Sequence, residues 1–448
     1  MQKFIDAVEK NGQLAKDALD YLWKNPETGY REWKGHAYLK AAFEKLGYEL
    51  VEAGNIPGFY TDVDTGRPGP MVLVMGELDS LICESHPDAD PETGAVHACG
   101  HCCQAAGLLG VAAALKEPGV LDGWCGKIRL MATPAEELIE VEYREQLRKE
   151  GIVKYYGGKV EFMYRGFMDG VDLAFMIHSS ACGSHSGSIT KGSNGCITKT
   201  ITFHGKSSHA GGSPHKGINA LYAASQAMNA VNALRETFQD ADHIRFHPII
   251  TNGGTVVNAI PETVTMETYI RGANMAAISE TNLKVNRALA ASAAAMGARV
   301  TISDRPGYSP RIHDDGMMLV AKEAMEACLE TVTFKPAGWG SGCSDLGDVS
   351  MVIPAVHPYV GGVKGTGHGN DYFIDDPDTA CVDIAKVEVL MLELLLRDGA
   401  KRAISIKENF VPSFDTMEAY FACIDAMDMD KDAVIYNEDG TVTLDIVK

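Results

Sequence analysis

The sequence predicts an α/β protein with a mostly parallel sheet, into which a ferredoxin-like βαββαβ domain is inserted. Three observations carry this reading. Apolar runs at Met71 to Met75, Lys127 to Ala132 and Val171 to Ile177 each have the look of a buried strand. A small-residue run, Gln104 to Leu115, reads as a helix beginning just after Gly100-His101, and strands alternating with helices give a parallel sheet. Near Ser193 the composition changes, and the new pattern has its own order of elements before the first one resumes.

Taken in order, residues 3 to 47 show helical periodicity, with Phe4, Val8, Leu14, Ala18 and Leu22 on a repeating face. The three strands and their helix follow. Cys196 to His204 then alternates as a half-exposed strand would. A helix is expected from about Ile218 to Phe238, strands near Pro248 to Val256 and Val264 to Ile270, a helix near Ala277 to Met296, and a strand from Arg299 to Ser303. That order is βαββαβ, the split-βαβ plan. Helices near Gly316 to Glu330 and Thr379 to Leu396 return to the first pattern. The expected division is therefore residues 1–193 and 306–448 in one domain and 194–305 in the insertion. No internal repeat or low-complexity segment is visible.

At 448 residues the chain suits two or three domains, and 46% hydrophobic with 22% charged residues is the balance of a globular protein. A formal charge of −20 argues against a nucleic-acid footprint or an anionic-membrane surface. No apolar run reaches the ~18 residues of a membrane span. Met1-Gln2-Lys3-Phe4 opens without a basic patch and apolar stretch, so a cytoplasmic location is expected. Eleven cysteines, an odd set without regular spacing, read as reduced thiols with room for one ligand.

The polar residues at the strand ends carry the chemistry. The first strand leads to Glu77 and Asp79, the second to Glu136 and Glu137, and the third directly to His178. In open α/β sheets ligands gather outside the carboxyl ends of the strands, so these groups should converge. Between the first two strands lies His97-Ala98-Cys99-Gly100-His101, where glycine lets the chain turn Cys99 and His101 toward one point. Thiolate, imidazole and carboxylate together suit zinc, manganese or another divalent transition metal. An isolated Cys-x-His would be chance in a chain with eleven Cys and fourteen His; its place between these strands weakens that reading. Adjacent carboxylates such as Glu136-Glu137 are usually a solvated loop, but on a metal site one can bind metal while the other takes a proton from water.

These motifs make the chain recognisable. Glu77-Leu78-Asp79-Ser80-Leu81, His97-Ala98-Cys99-Gly100-His101, Pro134-Ala135-Glu136-Glu137, His204-Gly205-Lys206-Ser207-Ser208-His209-Ala210, Gly253 to Pro261, Asp345 to Ser350 and Gly365-Thr366-Gly367-His368 occur in a familiar order. The sequence resembles the aminoacylase and carboxypeptidase-G clan of di-metal amidohydrolases. It is similar to the branch holding aminobenzoyl-glutamate hydrolase, auxin-conjugate hydrolases and Xaa-Arg dipeptidase. The resemblance implies a metallopeptidase-like catalytic domain, a homodimer formed through the inserted domain, and hydrolysis of a small N-acyl amino acid or dipeptide-like amide. It further implies two divalent metal ions, zinc or manganese, held by Cys99, His101, Glu137, His178 and His368, with Cys99 bridging. Glu136 would be the general base and Asp79 would hold a ligand in place. His209 would serve a partner subunit's site by steadying the oxyanion, and Asn258 and Arg271 would bind the substrate carboxylate.

Three departures from the family pattern stand out. Cys102 follows His101 where Asp or Asn is usual, Ile82-Cys83 replaces a proline, and the segment Val141 to Tyr156 is extra. That segment reads either as a substrate lid or as an ordinary surface insertion. His215 reads as a turn residue or as one orienting the His209 loop. His243 and His247, flanking Arg245, read as surface residues, and His357 as a satisfied core histidine. Two other functions compete with hydrolysis at a metal: a catalytically silent binding protein, and a thiol hydrolase using Cys99 or Cys102.

Overall fold

The computed structural model describes residues 1–447. The chain forms two compact units, one made of residues 1–192, 311–339 and 344–417, the other of 193–310, 340–343 and 418–448.

The larger unit is built on the apolar strands found in the sequence: β1 (Met71–Glu77), β2 (Lys127–Thr133) and β3 (Leu173–Phe175). Its six-stranded sheet runs Val51–Glu52, Phe59–Asp64, β2, β1, β3, Ala355–Val356. β1 pairs in parallel with both β2 and β3, while Phe59–Asp64 pairs antiparallel to β2. After its first residue, each of β1 and β2 is buried throughout, as strands covered on both faces must be. Helix α1 (His101–Leu115) packs on β1 and is buried at every position, which explains its nearly uniform run of Ala, Gly, Leu and Val. The third strand is shorter than its apolar run suggests. It stops at Phe175, and His178–Ser179 forms a separate short strand parallel to Tyr359–Val360.

The smaller unit carries β4 (Gly195–His204), helix α2 (Ala220–Leu234), β5 (Arg245–Phe246), β6 (Ile249–Asn252), β7 (Thr263–Gly272), helix α3 (Met275–Ala295) and β8 (Arg299–Pro306). β5 and β6 both pair with β7, which pairs with β4, which pairs with β8, so the sheet is ferredoxin-like. One face is apolar: Ile197, Ile201, Phe203, Val264, Met266 and Ile270 pack with Val285 and Leu289 of α3. Asn219 and Asn274 cap the two helices, each accepting from a backbone N–H in the first turn.

The C-terminal segment differs from the sequence reading, which kept residues 306–448 together. Residues 418–448 belong to the smaller unit. There β9 (Met429–Asp432) pairs with β8 and closes that edge of the sheet. Arg305 anchors it through Asp428 at 3.1 Å and Asp430 at 2.9 Å. Met-Asp-Lys-Asp has no apolar run, so an edge strand held by backbone pairing and charge left no hydropathy signal.

One buried group in the larger unit has no function in the fold's chemistry. Glu388, on the helix Ile384–Asn409, is buried, its Oε2 has no hydrogen-bond partner, and burial pushes its carboxyl well above the usual range. The folded state therefore keeps a proton that the unfolded chain releases near pH ~4.3. Stability attributable to this group is present below that pH and lost as pH rises. Glu388→Met should raise stability at pH 8 by about 1–3 kcal/mol and flatten the alkaline limb of a stability–pH curve measured by urea unfolding. A destabilised variant at pH 8 would show that Glu388 has a partner of its own.

Candidate active site

The strand ends meet where the sequence places them. Gly100, at φ +94, is the turn before α1, and a side chain there would collide with Ser179 Oγ and Tyr372 OH. Glycine thus lets Cys99 and His101 face one point. The donor atoms of Cys99, His101 and His178 lie within 4.8 Å of one another, as do those of Cys99, Glu137 and His368. Cys99 belongs to both groups. His368 has φ +64, and its N–H donates to Ala98 O at 2.8 Å, which ties it to the Cys99 turn.

Two atoms test whether metal ions fit. His101 Nε2 and Glu137 Oε1 are buried and make no hydrogen bond, although Glu77 and His368 respectively come within 3.1 Å of them. Buried polar atoms are rarely left without a partner, and these two point into a cluster of thiol, imidazole and carboxylate. The charge balance agrees. Contact with Cys99 and with Glu137 carries the His368 imidazole up to about 11. Burial works against charge on Cys99, yet His101 and His178 bring its thiol down to about 6. The residues fit two divalent ions sharing Cys99.

Asp79 holds this arrangement. One of its oxygens accepts from the Glu137 N–H at 2.7 Å, and the other lies 3.1 Å from His101 Nδ1. Engaging Nδ1 leaves Nε2 facing the cluster. Burial opposes ionisation of Asp79, but His101 beside it prevails and holds the carboxyl at about 2. Glu136 lies 3.7 Å from His101 Nε2. Burial, then the negative charges of Glu77 and Glu137, push its carboxyl well up, the direction a proton acceptor working near neutrality needs.

Lys159 and Arg144 carry no local sequence signal, and His357 differs from the satisfied core histidine expected from sequence. Glu77, His101 and Glu136 form a third cluster of donor atoms, but Lys159, itself buried, pairs with Glu77 and lies 2.5 Å from Asp345. The charge of Glu77 is therefore already matched by a cation. Arg144 is buried on the helix Val141–Lys149 and donates to the Glu137 carbonyl and, at 2.7 Å, to Tyr156 O. Through Arg144 the extra segment braces the loop carrying Glu137. His357 is only half satisfied: Arg311 donates to its Nδ1, its Nε2 has no partner, and its ring centroid lies 5.5 Å from that of His178.

Cys102 lies buried in α1 and belongs to neither group around Cys99. Burial pushes its thiol well up, so it is a poor nucleophile.

In the smaller unit, His209 and Asn258 lie together: His209 pairs with Ala259 in an isolated bridge, and Ala210 N donates to Asn258 O at 2.9 Å. His209 Nδ1 accepts from Gly211 and Gly212 N–H at 3.1 and 2.8 Å. That fixes a tautomer in which the exposed ring presents Nε2–H as a donor. Arg271 stands on β7 opposite Cys196 of β4 and Arg245 of β5.

An α/β fold with this cluster of metal-ligand residues is similar to hydrolases that act on amide bonds. Residues 191–297 match the peptidase dimerisation domain. The chain is 28% identical over 376 residues to Xaa-Arg dipeptidase of Mus musculus, spanning 80% of this chain and 78% of that protein. It is 30% identical over 287 residues to thermostable carboxypeptidase 2 of Saccharolobus solfataricus, spanning 60% of this chain and 67% of that protein. A dinuclear metal binding peptidase of the M20 family from Bacillus subtilis shares the fold, with a TM-score of 0.62 at 19% identity over 88% of this chain and 99% of that one. The chain belongs to the M20 family of peptidases and amidohydrolases.

Asp79→Asn keeps the shape but weakens the hold on His101. It should lower zinc or manganese affinity about 10–100-fold, read by titration with a competing chelator. Unchanged affinity would remove Asp79 from this role.

Proposed function

We propose that the protein is a metal-dependent amidohydrolase that cleaves the amide bond of a small N-acyl amino acid or dipeptide-like substrate. The observation that carries this is the pair of donor groups sharing Cys99, with Glu136 beside them. Cys99, His101 and His178 would hold one divalent ion and Cys99, Glu137 and His368 the other, zinc or manganese. When bound, such ions polarise a carbonyl and acidify water. Glu136 takes the proton of the attacking water and returns it to the departing amine. Asn258 and Arg271 grip the substrate carboxylate, and His209 donates from Nε2–H to the developing oxyanion.

The dimerisation-domain match supports a homodimer. Because β9 closes one edge of the smaller unit's sheet, an edge-to-edge pairing uses β6, where Ile249 and Ile250 are 61% and 37% exposed. A cytoplasmic location accompanies this reading. All eleven cysteines are free thiols, and no helix among the described residues is long and apolar enough to cross a membrane.

Glu136→Gln should abolish turnover of N-acyl amino acids while zinc or manganese content, read by elemental analysis, stays at the wild-type level. Loss of metal in Glu136→Gln, with retention in Glu137→Gln, would exchange the two roles. Chelator should abolish wild-type activity and added metal restore it; activity that survives chelation would favour a thiol hydrolase using Cys99. Absence of turnover in metal-loaded protein against a broad set of N-acyl amino acids and dipeptides would favour a silent binding protein.

The assignment of His209 to the partner's site is tested by mixing. His209→Ala alone should cost about 10²–10³ in turnover. Mixed with Glu136→Gln under conditions of proven subunit exchange, it should recover about a quarter of wild-type activity, since half the dimers then hold one intact site. An exchanged mixture that stays inactive would assign His209 to its own chain.

A further inference from the structure

A buried acid from the N-terminal segment reaches the loop that carries the two glutamates. Glu32 stands at the N-cap of the helix Trp33–Lys45, where a carboxylate is normally drawn to the free N–H groups of the first turn. Its side chain makes no such bond. Glu27 caps the helix instead, its Oε2 accepting from Lys34 N at 2.7 Å and Gly35 N at 3.2 Å. The Glu32 carboxyl turns inward and is fully buried, and its Oε1 accepts from Ala135 N at 2.7 Å. Its Oε2 has no hydrogen-bond partner, and burial, then the charge of Asp79, push the carboxyl well above the usual range. The helix is capped without it, so the fold of this segment does not require an acid at position 32.

The bond falls on a strained residue. Ala135 has φ +56, in the left-handed region that alanine avoids, immediately before Glu136. The N-terminal segment is pressed against this turn: a side chain at Gly29 would come within 2.9 Å of Ala135 Cα. The same segment is fixed to the end of β1, where Ser80 N donates to Glu27 O at 2.8 Å and Thr28 bridges to Ser80. Glu136 therefore lies between two residues with separate anchors, Ala135 held by Glu32 and Glu137 held by Asp79 and Arg144.

We infer that Glu32 is a positioning residue for the hydrolysis: by holding Ala135 in the left-handed conformation it aims the Glu136 carboxyl at the attacking water, touching neither metal nor substrate. Without that bond the turn relaxes toward conformations alanine prefers, which rotates the peptide between Ala135 and Glu136. Glu137 keeps its own anchors and its place among the metal ligands. The inference rests on the reading above in which Glu136 is the general base.

The test uses full-length protein loaded with zinc or manganese. Glu32→Gln is the conservative variant: it has the shape of the neutral acid and keeps an oxygen for the Ala135 N–H, so kcat should stay within about threefold of wild type. Glu32→Leu fills the space but offers no acceptor. Its kcat should fall about 10²-fold, the scale of a misplaced catalytic group, while KM and metal content, read by elemental analysis, stay near wild type. Ala135→Gly removes the steric cost of φ +56, so adding it to Glu32→Leu should restore kcat about tenfold or more. A carboxyl that only filled the core would show no such rescue. Amide exchange over residues 133–138, followed by mass spectrometry, should quicken in Glu32→Leu and not in Glu32→Gln. Circular dichroism confirms folding, and Glu32→Met supplies the same loss of an acceptor should Glu32→Leu not fold. A folded Glu32→Leu or Glu32→Met that keeps its kcat, a Glu32→Gln that falls as far as they do, or no rescue by Ala135→Gly would overturn the assignment. The two readings fail differently. If exchange quickens as expected but the wild type hydrolyses no N-acyl amino acid or dipeptide, the hold of Glu32 on the turn stands and the hydrolase reading falls. If the wild type hydrolyses such substrates and the apolar variants do so equally well, the hydrolase stands and the positioning role falls.

Discussion

Asp79 stands at the end of β1 with one oxygen on the Glu137 N–H and the other facing His101 Nδ1. Through these two contacts a single carboxylate sets the orientation of a histidine on α1 and of the loop after β2. Its placement imposes a cost, because Glu77, Asp79, Glu136 and Glu137 are all buried in the same small volume. Each ion removed from water loses several kcal/mol of hydration, and the loss is recovered only by good partners. The larger unit supplies them as cations of two kinds. Lys159 sits between Glu77 and Asp345, and the imidazoles of His101 and His368 are held in a range where they accept positive charge.

The backbone around this charge is held in conformations that side chains normally avoid. Ala135 has φ +56 and His368 has φ +64, and they flank the cluster from separate segments. Such residues persist only where their surroundings over-determine them. Ala135 N donates to the buried Glu32 at 2.7 Å and its carbonyl accepts from Gly158 at 3.1 Å, while His368 N is tied to Ala98. Arg144 adds the bond to the Glu137 carbonyl. The two glutamates are thus presented by a loop fixed on several sides.

How much of this was legible depended on whether a residue announces itself locally. Strand ends carrying Asp79, Glu136 and Glu137, and the Cys99-Gly100-His101 turn, could be located because apolar strands and a glycine are local signals. The βαββαβ order was visible for the same reason. Lys159 and Arg144 were not, because a buried cation differs from a surface one only through partners far away in the chain; Lys159 meets Asp345 across 186 residues. The strand Met429–Asp432 was hidden because its stability comes from pairing with β8 and from Arg305, and its own sequence is charged. The apolar run that leads to His178 is longer than its strand, since Met176 and Ile177 are buried without belonging to the sheet.

The smaller unit obeys the same logic with opposite sign. Its sheet commits one face to α2 and α3, and the alternation along β7 is strict enough that a one-residue shift would put Arg271 into the core. With that face filled and one edge closed by β9, the remaining surfaces are the open β6 edge and the helix-free face. The first carries exposed Ile249 and Ile250, and the second carries Arg245 and Arg271 opposite each other. An apolar edge suits pairing with a further strand, while like charges directly opposite each other repel. The strand register alone therefore puts an apolar edge and a pair of cations on different surfaces.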